Sequence, residues 1–145
     1  FNNIFNLNAK SVYFLIKHSL KEFKKNKEGC IINVSTISAK SGGSVGSSVY
    51  ASSKAFVSSL TRSLVSELSS YNIRINAISP GTINTKFHQQ YSTKEKLEKT
   101  KNLIPMKRLG KSSDCVGPII FLSMKSLSGY ITGQVIEVNG GQFFN

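Results

Sequence analysis

Two stretches decide the architecture: Cys30-Ile31-Ile32-Asn33-Val34 and Ile73-Arg74-Ile75-Asn76-Ala77-Ile78. The first is short, apolar and rich in β-branched residues, without clean alternation, as expected of a strand covered on both faces of a parallel sheet. The second reads as a companion strand, ended by the turn pair Pro80-Gly81. Between them, Val57, Leu60, Leu64, Val65 and Leu68 form an apolar stripe at helical spacing, which predicts a helix over residues 48–70. The Ser/Gly-rich stretch 35–48 predicts a loop.

Outward from this block the alternation continues. Phe5, Ala9, Val12, Tyr13, Ile16, Leu20 and Phe23 predict a helix over residues 4–26 with one buried face. Its basic tail, Lys21 to Lys27, suits the negative end of the helix dipole, and Gly29 is the expected stop. Residues 85–110 are polar, Lys-rich and only weakly helical, and are expected to be the mobile part. Ser112 or Ser113 is expected to cap a helix reaching Met124, with Asp114 in its first turn and Gly117-Pro118 where proline is tolerated. Gln134 to Val138 reads as a last strand before Asn139-Gly140-Gly141. Strands alternating with helices predict an α/β fold with a doubly wound parallel sheet and right-handed crossovers. The 145 residues suffice for one domain.

Composition narrows the function classes. With 39% hydrophobic and 18% charged residues the chain is globular in type. No apolar run approaches the ~20 residues that span a membrane, and no signal-peptide pattern opens the chain, so neither membrane nor secretion is expected. Cys30 and Cys115 are read as free thiols of a cytoplasmic protein, and neither has a Cys or His at metal spacing, so no metal is expected. The net charge of +12 is spread over helices and loops without interleaved aromatics, and is read as solvated faces rather than a nucleic-acid surface. His18 and His88 are read as surface residues, and the sequon Asn33-Val34-Ser35 as chance in a buried strand. Phe143 and Phe144 are read as packing or interface residues.

The chemistry-bearing segment is Tyr50-Ala51-Ser52-Ser53-Lys54, which puts a phenol and an ammonium on one helical face. A free tyrosine, with a pKa near ~10, is a poor acid–base catalyst at neutral pH, and a nearby cation favours its phenolate. Upstream, Ser35-Thr36-Ile37-Ser38 puts hydroxyls at the C-terminal end of the first strand, where open α/β sheets bind ligands. Downstream, Asn76 to Thr85 follows the second strand to the same edge.

Strand, hydroxyl, Y-x-x-x-K helix, strand and Pro-Gly turn in this order resemble the short-chain dehydrogenase/reductase family. The resemblance covers nearly the whole chain, including Asn8-Ala9-Lys10, Arg108-Leu109-Gly110 and Tyr130 to Gly141. It implies a Rossmann-type fold of which this chain carries the C-terminal, catalytic half. It also implies a cofactor, NAD or NADP, and a carbonyl/alcohol substrate. Tyr50 would be the general acid/base, and Lys54 would lower its pKa and bind the nicotinamide ribose. Thr36 falls on the position of the substrate-polarising serine, with Ser35 or Ser38 as alternatives, since the stretch to Tyr50 is one residue longer than in many relatives. Asn8 would hold a water of the proton relay. Pro80 and Gly81 would line the nicotinamide pocket, with Ile83 and Thr85 on the carboxamide.

Further expectations follow from the same resemblance. The chain begins at Phe1, so the first strands, the Gly-rich phosphate-binding turn and the residue choosing NAD or NADP are expected to precede it, and the isolated 145 residues are expected to be inactive. The pattern is closest to reductases of 3-oxoacyl groups on acyl carrier protein, with Lys24, Lys25 and Lys27 near a docking position and Tyr71 at a second one that is usually basic. A sugar, polyol or steroid-like alcohol dehydrogenase is the rival, and a non-catalytic binding module a further one. Loop 86–107 falls on the variable substrate lid. A homodimer or homotetramer is implied, with helices 4–26 and 48–70 pairing across an interface that Ser52, Ser59 and Ser63 let close tightly.

Overall fold

The computed structural model describes residues 1–144. In chain order it forms α1 (Asn2–Phe5), a π-helical turn (Asn6–Lys10), α2 (Ser11–Asn26), β1 (Gly29–Val34), α3 (Ser38–Ser41), α4 (Ser48–Ser63), α5 (Val65–Ser69) and β2 (Ile73–Pro80). Then follow α6 (Lys86–Tyr91), α7 (Lys94–Leu103), a 3-10 turn (Ser112–Cys115), α8 (Val116–Ser123), α9 (Lys125–Ser128) and β3 (Val135–Val138). The three strands are parallel in the order β1-β2-β3. The α/β class and the three strands agree with the sequence reading.

Strand parity sets the two layers. Odd residues of β1 and β2 face α2, α4 and α5. There Ile73 and Ile75 meet Ile16 and Leu68, with Phe23, Ile31, Leu60 and Leu64 packed round them. Even residues face α8: Cys30 Sγ donates to the Leu122 carbonyl and Arg74 reaches the same carbonyl at 2.9 Å. Helices thus cover both faces, as a parallel sheet requires.

Several boundaries differ from expectation, each for a local reason. α2 is stopped by Lys27 in the left-handed region (φ 52°), not by Gly29, which opens β1. Glycine is needed at 29 for contact: a Cβ there would lie 2.8 Å from the Phe23 ring. The helix expected over 48–70 breaks at Leu64 into α4 and α5. β2 runs on to Pro80, because Ser79 and Pro80 pair with Glu137 and Val138. The loop 35–48 holds the one-turn helix α3, and 85–110 holds α6 and α7. Lys111, not Ser112 or Ser113, precedes the 3-10 turn, and its N–H donates to the Asp114 carboxylate at 2.7 Å.

Candidate active site

The expected site residues converge on the C-terminal edge of the sheet. β1 delivers Ser35 and Thr36 there, and β2 delivers Pro80 and Gly81. α4 brings Tyr50 in its first turn and Lys54 one turn later. The Thr36 hydroxyl lies beside the Tyr50 phenol, close enough to favour its phenolate. Thr36 Oγ1 also lies 3.4 Å from the Pro80 carbonyl, which competes with the phenol for its single O–H, and accepts the Ser38 N–H at 3.4 Å, both long contacts. Lys54 Nζ donates to the Val34 carbonyl at 2.9 Å.

Electrostatics set the resting protonation of this group. Burial pushes the Tyr50 phenol above its ordinary value, and the Thr36 hydroxyl opposes that by favouring the phenolate. Burial lowers the Lys54 ammonium. The net direction for Tyr50 is therefore upward, opposite to what a neighbouring cation alone would give. The reason is that desolvation of the phenol outweighs the bond from Thr36, while Lys54 Nζ is engaged by a backbone carbonyl.

Of the alternative hydroxyls, Ser35 is buried and engaged. Its Oγ lies 2.6 Å from Ser58 Oγ and donates to the Lys54 carbonyl at 3.2 Å. Parity explains this: Ser35 continues the face of Ile31 and Asn33 that packs on α4, where Asn33 binds Thr61. Ser38 opens α3.

Asn8 sits inside the π-helical turn that interrupts α1 and α2. Its amide donates to Ser53 Oγ at 3.3 Å, and Ser53 Oγ donates to the Tyr50 carbonyl at 2.7 Å. Ser53, fully buried, is a site residue that the sequence reading did not single out. Its signal was a small residue three places after the tyrosine. Single-turn π insertions often occur at functional sites.

The segment after β2 is anchored on both sides. Gly81 N–H donates to the Val138 carbonyl at 3.0 Å, and a Cβ on Gly81 would lie 2.7 Å from Asn139 Cβ, so only glycine fits. Ile83 forms a parallel bridge with Gly110, and Thr85 precedes α6 in extended conformation. Ile83 also lines a cleft of about 210 Å³ with Arg108, Asp114, Glu137 and Asn139, whose lining includes neither Tyr50 nor Lys54. The Arg108 guanidinium grips Asp114 through two bonds, 2.6 and 3.1 Å, and holds that carboxyl down to about 2. No cluster of His, Cys, Asp or Glu suited to a metal exists among the described residues.

Comparison with known proteins gives concordant matches. The family described as enoyl-(acyl carrier protein) reductase matches residues 1–142. The chain is 38% identical to an L-rhamnose 1-dehydrogenase (NAD(P)(+)) of Azotobacter vinelandii, over 95% of this chain and 54% of that protein. It is 36% identical to the 3-oxoacyl-[acyl-carrier-protein] reductase FabG of Buchnera aphidicola subsp. Baizongia pistaciae, over 98% of this chain and 57% of that one. The solved structure of ElxO with NADP bound superposes with a TM-score of 0.82 at 32% identity, covering 93% of this chain and 54% of that one. The chain spans about half the length of the curated relatives it matches. The tyrosine–lysine helix, the hydroxyl beside it and these matches agree: the chain belongs to the short-chain dehydrogenase/reductase family.

Proposed function

We propose that the full-length protein is a NAD(P)-dependent oxidoreductase acting on a carbonyl/alcohol pair, with Tyr50 as general acid/base. The observation that carries this reading is the half-buried Tyr50–Thr36 pair, with Lys54 one turn further along α4. The bound nicotinamide would supply or accept the hydride. Tyr50, a neutral phenol at pH 7 whose ionisation burial further disfavours, gives its proton to the carbonyl oxygen as the alcohol forms, and takes it back in oxidation. Thr36 donates a hydrogen bond to the same oxygen. An ammonium has three donors, and the Val34 carbonyl takes one, so Lys54 has donors to offer ribose hydroxyls. In this reading Pro80, Gly81, Ile83 and Thr85 wall the nicotinamide, and Asn8 orders the proton relay behind Lys54. The names of the relatives support both NAD and NADP.

For substrate we favour a 3-oxoacyl thioester on an acyl carrier protein, on the pattern shared with the Buchnera reductase. Lys24, at one docking position, lies 4.2 Å from the Tyr71 ring at the other, so the two expected positions form one cation–aromatic surface. A sugar or polyol substrate is the second reading, favoured by the identity to the rhamnose dehydrogenase. Assay of the full-length protein with NADPH and NADH on a 3-oxoacyl thioester and a sugar panel separates them; no thioester turnover sinks the first. We also propose a homodimer or homotetramer. Exposed Tyr13, Phe14 and Leu15 on α2 and Phe56 on α4 supply an apolar face for it, and a monomeric mass in solution would refute this. Two free thiols fit a reducing, cytoplasmic setting.

A further inference from the structure

The Thr36 hydroxyl is loosely held by its own two long bonds, yet its position against Tyr50 is what the site depends on. Thr36 opens a hydrogen-bonded turn. Its carbonyl accepts the Ala39 N–H at 3.0 Å, and Ile37 O accepts the Lys40 and Ser41 N–H groups at 3.0 Å. Beyond α3 the chain enters a glycine-rich stretch in which Gly42, Gly43 and Gly46 all have positive φ. From the last turn of α3, Lys40 Nζ reaches Glu137 Oε1 on β3, 3.2 Å away. That oxygen is sealed from solvent and accepts no well-aligned hydrogen bond among the described residues, so the Lys40 charge is what balances it. Asn139 Nδ2 donates to the other carboxylate oxygen, Oε2, at 3.3 Å. The same C-terminal turn clasps the loop after β2: Gln142 accepts the Thr82 N–H at 2.9 Å and donates to the Thr82 hydroxyl at 3.0 Å.

We propose that Lys40 and Glu137 are positioning residues: their half-buried ion pair fastens the α3 turn to the end of β3 and thereby holds the Thr36 hydroxyl against Tyr50. The proposal rests on the function proposed above, and acts through Thr36 rather than by contact with substrate. A carboxylate oxygen sealed from water and left without its cation is costly, so the pair keeps its partner and fixes the turn. Besides it, among the described residues, α3 packs on α4, and the chain entering α3 is hydrogen-bonded to β2 through the Ser35 N–H on the Ile78 carbonyl at 2.8 Å, the Ile37 N–H on the Pro80 carbonyl at 3.1 Å and the long Thr36 bond.

The test uses the full-length protein carrying Lys40→Met, Lys40→Glu, Glu137→Lys, or both charge swaps together. Misplacement of a reacting group by about an ångström costs up to ~100-fold, so each single variant is expected to lose on the order of tenfold or more in kcat with cofactor KM unchanged. The double swap is expected to recover most of that loss. Lys40→Met, at a partly exposed position, tests the idea even where a buried lysine at 137 prevents folding. A second readout is independent of turnover: ultraviolet titration of the phenol, taken as the difference from Tyr50→Phe. Losing the Thr36 bond should move the Tyr50 titration to higher pH in Lys40→Met. Unchanged kcat and unchanged titration in Lys40→Met overturn the proposal, as do two folded single swaps whose combination shows no recovery. Absence of turnover in the wild type, or full turnover in Tyr50→Phe, would instead overturn the functional reading, and the phenol titration would still judge the latch.

Discussion

The two ends of β2 hold their polar side chains in opposite ways. Near the start, Arg74 gives its guanidinium to the Leu122 carbonyl at 2.9 Å, the Ser123 and Ile131 carbonyls at 3.4 and 3.5 Å, and Ser128 Oγ at 3.3 Å. It thereby satisfies the carbonyls that the C-terminus of α8 leaves open. At the far end, Thr36 holds the Pro80 carbonyl only through a long bond, and Lys54 one turn along α4 gives a single bond to Val34. Donors committed to backbone make a hub of the fold. Donors only loosely or partly engaged beside a half-buried phenol make a site. The comparison predicts that substitutions at one end cost stability and at the other cost rate.

The largest effect is expected from Tyr50→Phe in the full-length protein. Removing a general acid/base costs about 10²–10⁴ in kcat. The melting temperature should stay near that of the wild type, since the ring still fills its place. Steady-state kinetics with calorimetry checks both, and wild-type turnover would remove Tyr50 from the role. The mirror experiment is Arg74→Met. It removes the charged bonds to the Leu122, Ser123 and Ile131 carbonyls, of which Leu122 keeps Cys30 and Ser128 and Ile131 keeps Asn76, and is expected to destabilise by about 1–2 kcal/mol, while kcat per folded molecule is unchanged. Denaturant titration measures it; a rate loss with no stability loss would erase the contrast between the two ends.

A smaller effect concerns pH. Burial raises the Tyr50 pKa and the Thr36 hydroxyl lowers it. Oxidation of the alcohol needs the phenolate, so its rate should climb as pH rises above neutral, whereas carbonyl reduction uses the neutral phenol that dominates at pH 7. Thr36→Val removes the lowering contribution and is expected to move the alkaline limb to higher pH with a reduced rate. Thr36→Ser should restore both. A limb that does not move in Thr36→Val would mean that Thr36 does not touch the reacting phenol in solution.

Much of this was legible from local pattern. β1 and β2 announced themselves by apolar β-branched runs, and the tyrosine–lysine face by its four-residue spacing on a helix. Parity along β1 could also have removed Ser35 as a candidate, because it follows Ile31 and Asn33 onto the α4 face. What escaped depends on partners distant in sequence. The π-helical turn is bound up with Asn8 reaching Ser53 on α4, and the Lys40–Glu137 pair joins elements that no periodicity connects. The helices α6 and α7 were weak in pattern because their faces are mostly polar; α7 has no buried residue. Its start is nonetheless well marked by Thr93, whose side chain accepts the Lys96 N–H at 3.2 Å.

The smallest expected effect tests a polar group of the fold that lies exposed, in contrast to Arg74. Arg108 and Asp114 form a two-bond ion pair that also takes the Lys111 N–H, and so close the segment leading into α8. The Asp114 pKa falls from 3.8 to about 2, chiefly through the Arg108 hydrogen bonds. A depressed carboxyl contributes stability that is complete above its unfolded value and fades as pH falls through its folded one. The contribution is therefore present at neutral pH and disappears between about 4 and about 2. Exposed pairs are strongly screened, so Asp114→Asn should lower the melting temperature at pH 7 only slightly, and less at high salt. Melting temperatures of wild type and variant should converge across that acid window. A gap that persists well below pH 2, where the carboxyl has lost its charge, would assign the effect to the hydrogen bond with Lys111 rather than to the charge on Arg108.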